Sequence, residues 1–66
     1  MQIHVNGQTR ELLEDTRVLE LLEQLDLKPR RVAVERNEKI VRRASFAEAV
    51  LAEGDRVEIV TLVGGG

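Results

Sequence analysis

The chain alternates apolar and polar residues in several short stretches, the pattern of strands with one buried face. Ile3 and Val5 flank a polar position and predict a first strand over residues 2–6. Asn6-Gly7 predicts a tight hairpin turn after it, because both residues tolerate positive φ. The returning strand and three later strands are predicted over residues 8–12, 31–36, 39–41 and 56–62.

One stretch has helical spacing instead. Its apolar residues recur at i, i+3, i+4 and i+7 and form a single stripe, Val18, Leu21, Leu22 and Leu25. This predicts a helix over residues 17–25 with Thr16 or Asp15 as its N-cap, and Pro29 bars its continuation. Residues 45–51 allow one or two further helical turns with Ser45 as a cap.

The order of these elements is hairpin, helix, strand, short strand, helical turn and final strand. It predicts an α+β domain of the β-grasp type, with a mixed sheet of four to five strands packed on one main helix. The last strand should pair near the first, in the middle of the sheet. We expect this domain to span residues 1–63, and residues 64–66 to form a flexible glycine tail.

Composition narrows the chemistry that the chain itself performs. Its 66 residues form one small core and leave little room for a deep substrate cavity. It has no cysteine and one histidine, so disulfides, thiolate metal sites and cysteine nucleophiles are excluded and no metal site is expected. Neither His4 nor Ser45 has a plausible catalytic partner in the sequence. We therefore expect a protein that is not an enzyme.

Charge and hydropathy bear on partners and location. The net charge of −2 and the single aromatic residue, Phe46, argue against nucleic-acid binding. No apolar run is long enough to span a membrane, and no signal peptide is evident, so we expect a cytoplasmic protein without a membrane partner. Seven of the ten basic residues lie between Lys28 and Arg43. They are either surface charge balanced by nearby acidic elements or a partner-docking patch.

The sequence ends in Gly64-Gly65-Gly66, after Val63. Glycine adds no packing, so three in a row do not hold a fold together. A frayed terminus is one interpretation. The other is a side-chain-free lead that threads a narrow channel of a partner enzyme and presents the α-carboxylate of Gly66. The tail alone leaves both interpretations open.

Four segments and this ending resemble, in order, the sulfur-carrier proteins of thiamine biosynthesis, the ThiS family of the ubiquitin-like β-grasp superfamily. The segments are a strand with Asn-Gly, a V-x-E-L-L helix, a V-x-x-N-x-x-I-V crossover and a G-D-x-V-E-I-V strand, at residues 2–7, 18–22, 34–41 and 54–60. Many members have a proline and then an aromatic residue after I-V. Here Arg42 and Phe46 stand at those positions, which leaves the loop conformation open.

The resemblance implies a reaction cycle on Gly66. A ubiquitin-activating-like adenylyltransferase, ThiF-like, would use ATP and magnesium to adenylate its carboxylate. Sulfur derived indirectly from cysteine would then displace AMP and leave a C-terminal thiocarboxylate. A thiazole synthase, ThiG-like, would accept this sulfur. The chain would hold no permanent cofactor and would act as a co-substrate, with Gly64 and Gly65 threading the partner's active site.

The docking surface is less well defined by the sequence. Leu62 and Val63 precede the glycines and are candidates for an apolar contact with the partner, although Leu62 equally fits a place in the core. Arg42, Arg43 and Arg56 are candidates for charge steering.

Three other functions share parts of this pattern. The small subunit of molybdopterin synthase has the same fold and ending but tends to be longer. A ubiquitin-like modifier would join its terminal glycine to lysines of other proteins. A β-grasp binding module with an inert tail would carry no reaction at all.

Overall fold

The computed structural model describes residues 1–62, and within them a five-stranded sheet packs against one α-helix. The strands are β1 (Gln2–Val5), β2 (Gln8–Glu11), β3 (Val32–Arg36), β4 (Lys39–Val41) and β5 (Arg56–Thr61), and the helix is α1 (Val18–Gln24). Two short 3₁₀ helices, Pro29–Arg31 and Arg43–Ser45, precede β3 and follow β4. The sheet order is β2-β1-β5-β3-β4.

The last strand lies at the centre of the sheet, as predicted. It runs parallel to β1 and antiparallel to β3, while the β1–β2 and β3–β4 pairs are antiparallel hairpins. The sheet is therefore mixed, and the predicted α+β arrangement is confirmed. Central placement matters for function because β5 leads directly toward the C-terminal residues.

The core lies between α1 and one face of the sheet. From the helix, Val18, Leu21 and Leu22 are fully buried, as their spacing predicts. The strands supply alternate residues to the same core, namely Ile3, Val5, Val32, Val34, Val57 and Ile59. Leu12 is the inward residue after β2, since Leu13 is 83% exposed. Each large aliphatic side chain buried in this way stabilises the fold by about 1.5–3 kcal/mol.

The helix begins differently from the prediction. The Thr16 hydroxyl donates to the Leu13 carbonyl at 2.6 Å and so closes the turn before the helix. Asp15 has a positive φ of 65°, which places it within that turn. Arg17 is the N-cap residue, and its N–H donates to Oε1 of Glu20 at 2.8 Å. The prediction of Thr16 or Asp15 as the cap was wrong because both residues are part of the preceding turn.

The loop after β4 also starts one turn earlier than expected. Ser45 ends the Arg43–Ser45 3₁₀ helix, so its predicted role as a helix cap was wrong. Its carbonyl accepts the N–H groups of Glu48 and Ala49 and continues the chain as a single turn. This turn buries Phe46 against the core. The helical geometry is present, but the residues before Ser45 initiate it.

Two asparagines in the hairpin turns hold β5 in register. Asn6 has a φ of 50°, and its side-chain amide bonds to Ile59 twice, accepting from N at 2.7 Å and donating to O at 3.1 Å. Asn37 has a φ of 52°, accepts from Arg56 N at 2.9 Å and donates to Asp55 Oδ1 at 3.0 Å. The amides act as additional peptide groups of the sheet, so each turn also positions β5.

We expect Asn6→Gly to lower the free energy of unfolding by about 1–3 kcal/mol, because glycine accepts the turn conformation but loses both bonds to Ile59. Glu38→Gly is the matched control. Glu38 also has positive φ, 70°, and within residues 1–62 its side chain makes no hydrogen bond, so glycine should relieve strain and raise stability by about 1 kcal/mol. Urea denaturation measures both. Equal changes in the two variants would contradict the role of the Asn6 amide.

Candidate functional site

The predicted reactive tail, Val63 to Gly66, lies outside the described residues. The structure describes the part of the chain that leads to it. Pairing with β3 continues one residue past β5, because Leu62 N–H donates to the Arg31 carbonyl at 2.7 Å. The surroundings of Leu62 and the exposed face of the sheet therefore define the candidate site within residues 1–62.

The sheet surface opposite α1, which we term the outer face, is open. Along β5 the buried residues Val57 and Ile59 alternate with exposed Glu58 and Val60. Val60 lies opposite Ala33 of β3, and Glu58 lies opposite Glu35, which in turn lies opposite Ile40 of β4. Ile40 and Val60 are 77% and 60% exposed. The outer face thus joins apolar residues to a pair of carboxylates.

A groove of about 250 Å³ lies beside the end of β5. Its lining includes Leu62, Ile40, Phe46, Arg42 and Arg43. Leu62 is 43% exposed and stands outside the core cluster, so it is a surface residue and not a core residue. The groove gives the exit of β5 an apolar floor bordered by two arginines and Glu35.

The three candidate arginines occupy different positions. Arg42 is exposed and lines the groove with Leu62. Arg43 donates from Nε to the Pro29 carbonyl at 3.0 Å and from Nη2 to the Val32 carbonyl at 3.4 Å, so it fastens the loop after β4 to the start of β3. Arg56 begins β5, six residues before Leu62 and about 20 Å away along the strand. The structure brings Arg42 and Leu62 together and separates Arg56 from them.

A buried carboxylate supports the start of β5, and the sequence pattern gave no sign of it beyond a Gly-Asp turn. Asp55 is 6% exposed. Its Oδ2 accepts from Arg36 Nε at 2.7 Å and from Ala52 N at 2.8 Å, and its Oδ1 accepts from Asn37. Burial acts to raise the pKa of Asp55, but the bonds from Ala52 and Asn37 and the Arg36 cation outweigh it and lower the pKa.

The basic segment from Lys28 to Arg43 is mostly unpaired. Ion pairs in the described part of the chain are the Met1 amine with Glu11 and Glu14, and Arg36 with Asp55. Only one member of the segment therefore has an acidic partner within residues 1–62. Charge balance by an acidic partner within 4 Å applies to Arg36, while Arg43 is engaged with two backbone carbonyls.

Residues 1–62 offer few side chains for a catalytic or metal-binding site. His4 lies on β1, between β2 and β5 in the sheet, and its Nδ1 is 3.4 Å from the Thr9 hydroxyl. No group of three metal-ligating side chains comes together in residues 1–62. None of the helical structure in that part of the chain has the length and apolar character needed to cross a membrane.

Comparison with known proteins agrees with this architecture over the full chain. The ThiS family matches residues 3–66. The chain belongs to the ThiS family. It is 35% identical to the sulfur carrier protein ThiS of Escherichia coli, over the entire length of both proteins. The crystal structure of a ThiS protein from Geobacter metallireducens superposes with a TM-score of 0.85 at 33% identity and covers both chains completely.

Two longer proteins also contain a ThiS-like segment. The chain is 41% identical, over all its 66 residues, to the thiazole synthases of Paramagnetospirillum magneticum and Magnetococcus marinus. It spans only a fifth of the length of each of these relatives.

Three of the four segments that carried the ThiS resemblance meet at β5 in the structure. Asn6 of the first segment bonds to the middle of the strand, and Asn37 of the crossover bonds to its beginning. Asp55 of the last segment receives Asn37 and Arg36 just before the strand starts. Residues that are separate in sequence thus share one task, which is to fix the strand that leads to the glycines.

Proposed function

We propose that this ThiS-family protein is a sulfur carrier for thiazole formation in thiamine biosynthesis, and that the α-carboxylate of Gly66 carries the sulfur. The main support is the similarity to the Escherichia coli sulfur carrier protein ThiS, which extends over the whole of both chains and therefore includes the glycine ending. The family match also reaches residue 66.

The proposed cycle begins with activation of a poor acyl donor. A ThiF-like adenylyltransferase binds the carrier with ATP and magnesium, and a carboxylate oxygen of Gly66 attacks the α-phosphate while pyrophosphate leaves. The acyl-adenylate has AMP as a good leaving group. A sulfur nucleophile at the oxidation level of sulfide, with sulfur derived from cysteine, attacks the carbonyl carbon of Gly66. The bond to AMP breaks, AMP leaves, and the product is the thiocarboxylate. The carrier contributes no catalytic group. The use of ATP by the adenylyltransferase fits a cytoplasmic reaction.

In this cycle Gly64 and Gly65 form the side-chain-free lead into the partner's active site, because only glycine permits such close backbone approach. Leu62 and Val63 provide an apolar contact before it. Arg42 is suited to a charge contact beside Leu62, since both line the same groove. Arg56, at the far end of β5, is suited to steering at a second point of a broad interface.

The acceptor of the sulfur in this proposal is a thiazole synthase, ThiG-like. Support comes from the two thiazole synthases that contain a segment 41% identical to this chain. A carrier segment within the same polypeptide as a synthase is consistent with two functions that act on one another.

Intact-protein mass spectrometry tests the carrier function. We expect incubation with the adenylyltransferase, ATP, magnesium and a sulfur source to add the mass that corresponds to replacement of one oxygen by sulfur, located on Gly66 by fragmentation. A chain extended by one alanine after Gly66 is the control. It should keep its mass, because its terminal carboxylate lies one residue away from the position at which adenylation occurs. An unchanged mass of the chain ending at Gly66, with an enzyme active on its own carrier, would contradict the proposal.

A further inference from the structure

Two carboxylates face each other at the centre of the outer face. Glu35 of β3 and Glu58 of β5 are directly opposite in the antiparallel register. Two positions along, Asn37 N–H donates to the Arg56 carbonyl at 2.7 Å, so Glu35 and Glu58 also form a hydrogen-bonded backbone pair, with Cα atoms about 5.5 Å apart. Like charges at directly opposite positions destabilise a sheet.

No ion pair of the described chain offsets this repulsion, although Arg42 and Arg43 line the same groove as Glu35. Both side chains are exposed, and within residues 1–62 neither forms an ion pair or a side-chain hydrogen bond. Arg56 lies two residues before Glu58 on the same face of β5, yet it makes no ion pair with it. The folded carrier therefore holds two adjacent negative charges at a cost to its own stability.

Apolar residues border the two carboxylates. Ile40 lies directly beside Glu35 across the β3–β4 hairpin, and Val60 is two residues after Glu58 on the same face. They are among the most exposed aliphatic residues of the described chain. A charged centre with apolar neighbours has the composition of a docking surface, in which area burial gives affinity and charge complementarity gives orientation.

We propose that Glu35 and Glu58 together bind one arginine side chain of the adenylating partner, while Ile40 and Val60 pack against apolar residues around it. Arginine fits because its planar guanidinium donates in two directions at once and so bridges two carboxylates. One cation between them converts a repulsive pair into two attractive ones. This inference rests on the proposed carrier function.

The charge pattern favours the adenylating enzyme over the thiazole synthase as the partner. An enzyme that binds ATP concentrates cationic groups around the phosphates, and their field extends to the mouth of the active site. The carrier has a net charge of −2 and must approach that mouth with a carboxylate. An acidic pair on the docking face matches such a surface.

The test compares Glu35→Gln/Glu58→Gln with Glu23→Gln/Glu20→Gln, which removes the same charge from α1 on the other side of the sheet. Formation of pyrophosphate by the adenylyltransferase gives KM for the carrier and kcat. For the outer-face variant we expect KM to rise about tenfold with little change in kcat, and the melting temperature to rise by about 1–5 °C. The α1 variant should leave KM unchanged.

The outcomes separate this inference from the proposed function. If the chain without substitutions is not adenylated, the carrier function fails and this inference fails with it. If it is adenylated and the outer-face variant has an unchanged KM, only the arginine site is refuted. A weaker affinity for the thiazole synthase with an unchanged KM for adenylation would refute the choice of partner. A fall in the melting temperature of the outer-face variant would refute the repulsion between Glu35 and Glu58.

Discussion

We expect removal of Gly65 and Gly66 to abolish adenylation and to leave the fold unchanged. The expected loss is at least about 100-fold, because a displacement of the reacting atom by even 1 Å costs that much and the deletion withdraws the carboxylate by two residues. Within residues 1–62 the buried core cluster extends from Ile3 to Ile59, so all of these members remain in the shortened chain. The free energy of unfolding should change by no more than about 0.5 kcal/mol.

Pyrophosphate release with saturating ATP measures adenylation, and urea denaturation measures the fold. Gly66→Ala is the matched control for length, since it keeps the carboxylate in place and adds only a methyl group. We expect it to retain measurable activity, reduced by the tighter approach of a side chain. Adenylation of the shortened chain at the full rate would remove the basis of the carrier proposal.

Local patterns predicted most of the fold because its elements follow the two simple periodicities. The stripe from Val18 to Leu25 marked α1 to within one residue at each end, and alternation marked β1, β3 and β5, whereas β2 and β4 were predicted mainly from the turns before them. The order of elements then placed β5 beside β1. Alternation did not decide which of the two adjacent leucines after β2 faces the core. The packed structure shows that Leu12 is buried and Leu13 is exposed.

The predictions from the sequence were wrong or incomplete where side chains meet groups that are distant in the sequence or bond to an unexpected backbone group. Thr16 has the composition of a helix cap but closes the preceding turn, and the two possibilities have the same local sequence. The Asp55 cluster joins residues 18 and 19 positions apart, so no periodicity reveals it. Likewise, Glu35 and Glu58 become neighbours only through the strand register.

The candidate site was predictable in its chemistry more than in its position. The glycine ending and the family resemblance indicated Gly66 as the reacting residue, which remains a prediction. The docking residues depended on side-chain placement, and the structure groups Arg42 with Leu62 while it gives Arg43 a structural contact. Surface arginines look alike in sequence because their roles depend on which neighbours the fold supplies.

Loss of the Asp55 carboxylate should produce the largest destabilisation among the surface-loop substitutions. Asp55→Ala leaves the Ala52 N–H, the Asn37 amide and Arg36 without the buried acceptor that they share. We expect the free energy of unfolding to fall by about 2–4 kcal/mol at pH 7. Asp26→Asn is the control, because Asp26 is exposed and asparagine tolerates its φ of 59°, and it should change stability by less than about 0.5 kcal/mol.

The contribution of the Asp55 charge should also depend on pH in a defined direction. The pKa of Asp55 is lowered in the folded protein from its ordinary value of 3.8, so the unfolded chain takes up a proton first as pH falls. The stability that the charge provides is therefore complete above pH 3.8 and is lost as pH drops through the lower folded pKa. Asp55→Asn should be less stable than the parent chain at pH 7, and the difference should narrow below pH 3.8. Urea denaturation across this range measures it, and a difference that stays constant would mean that shape, and not charge, determines the role of Asp55.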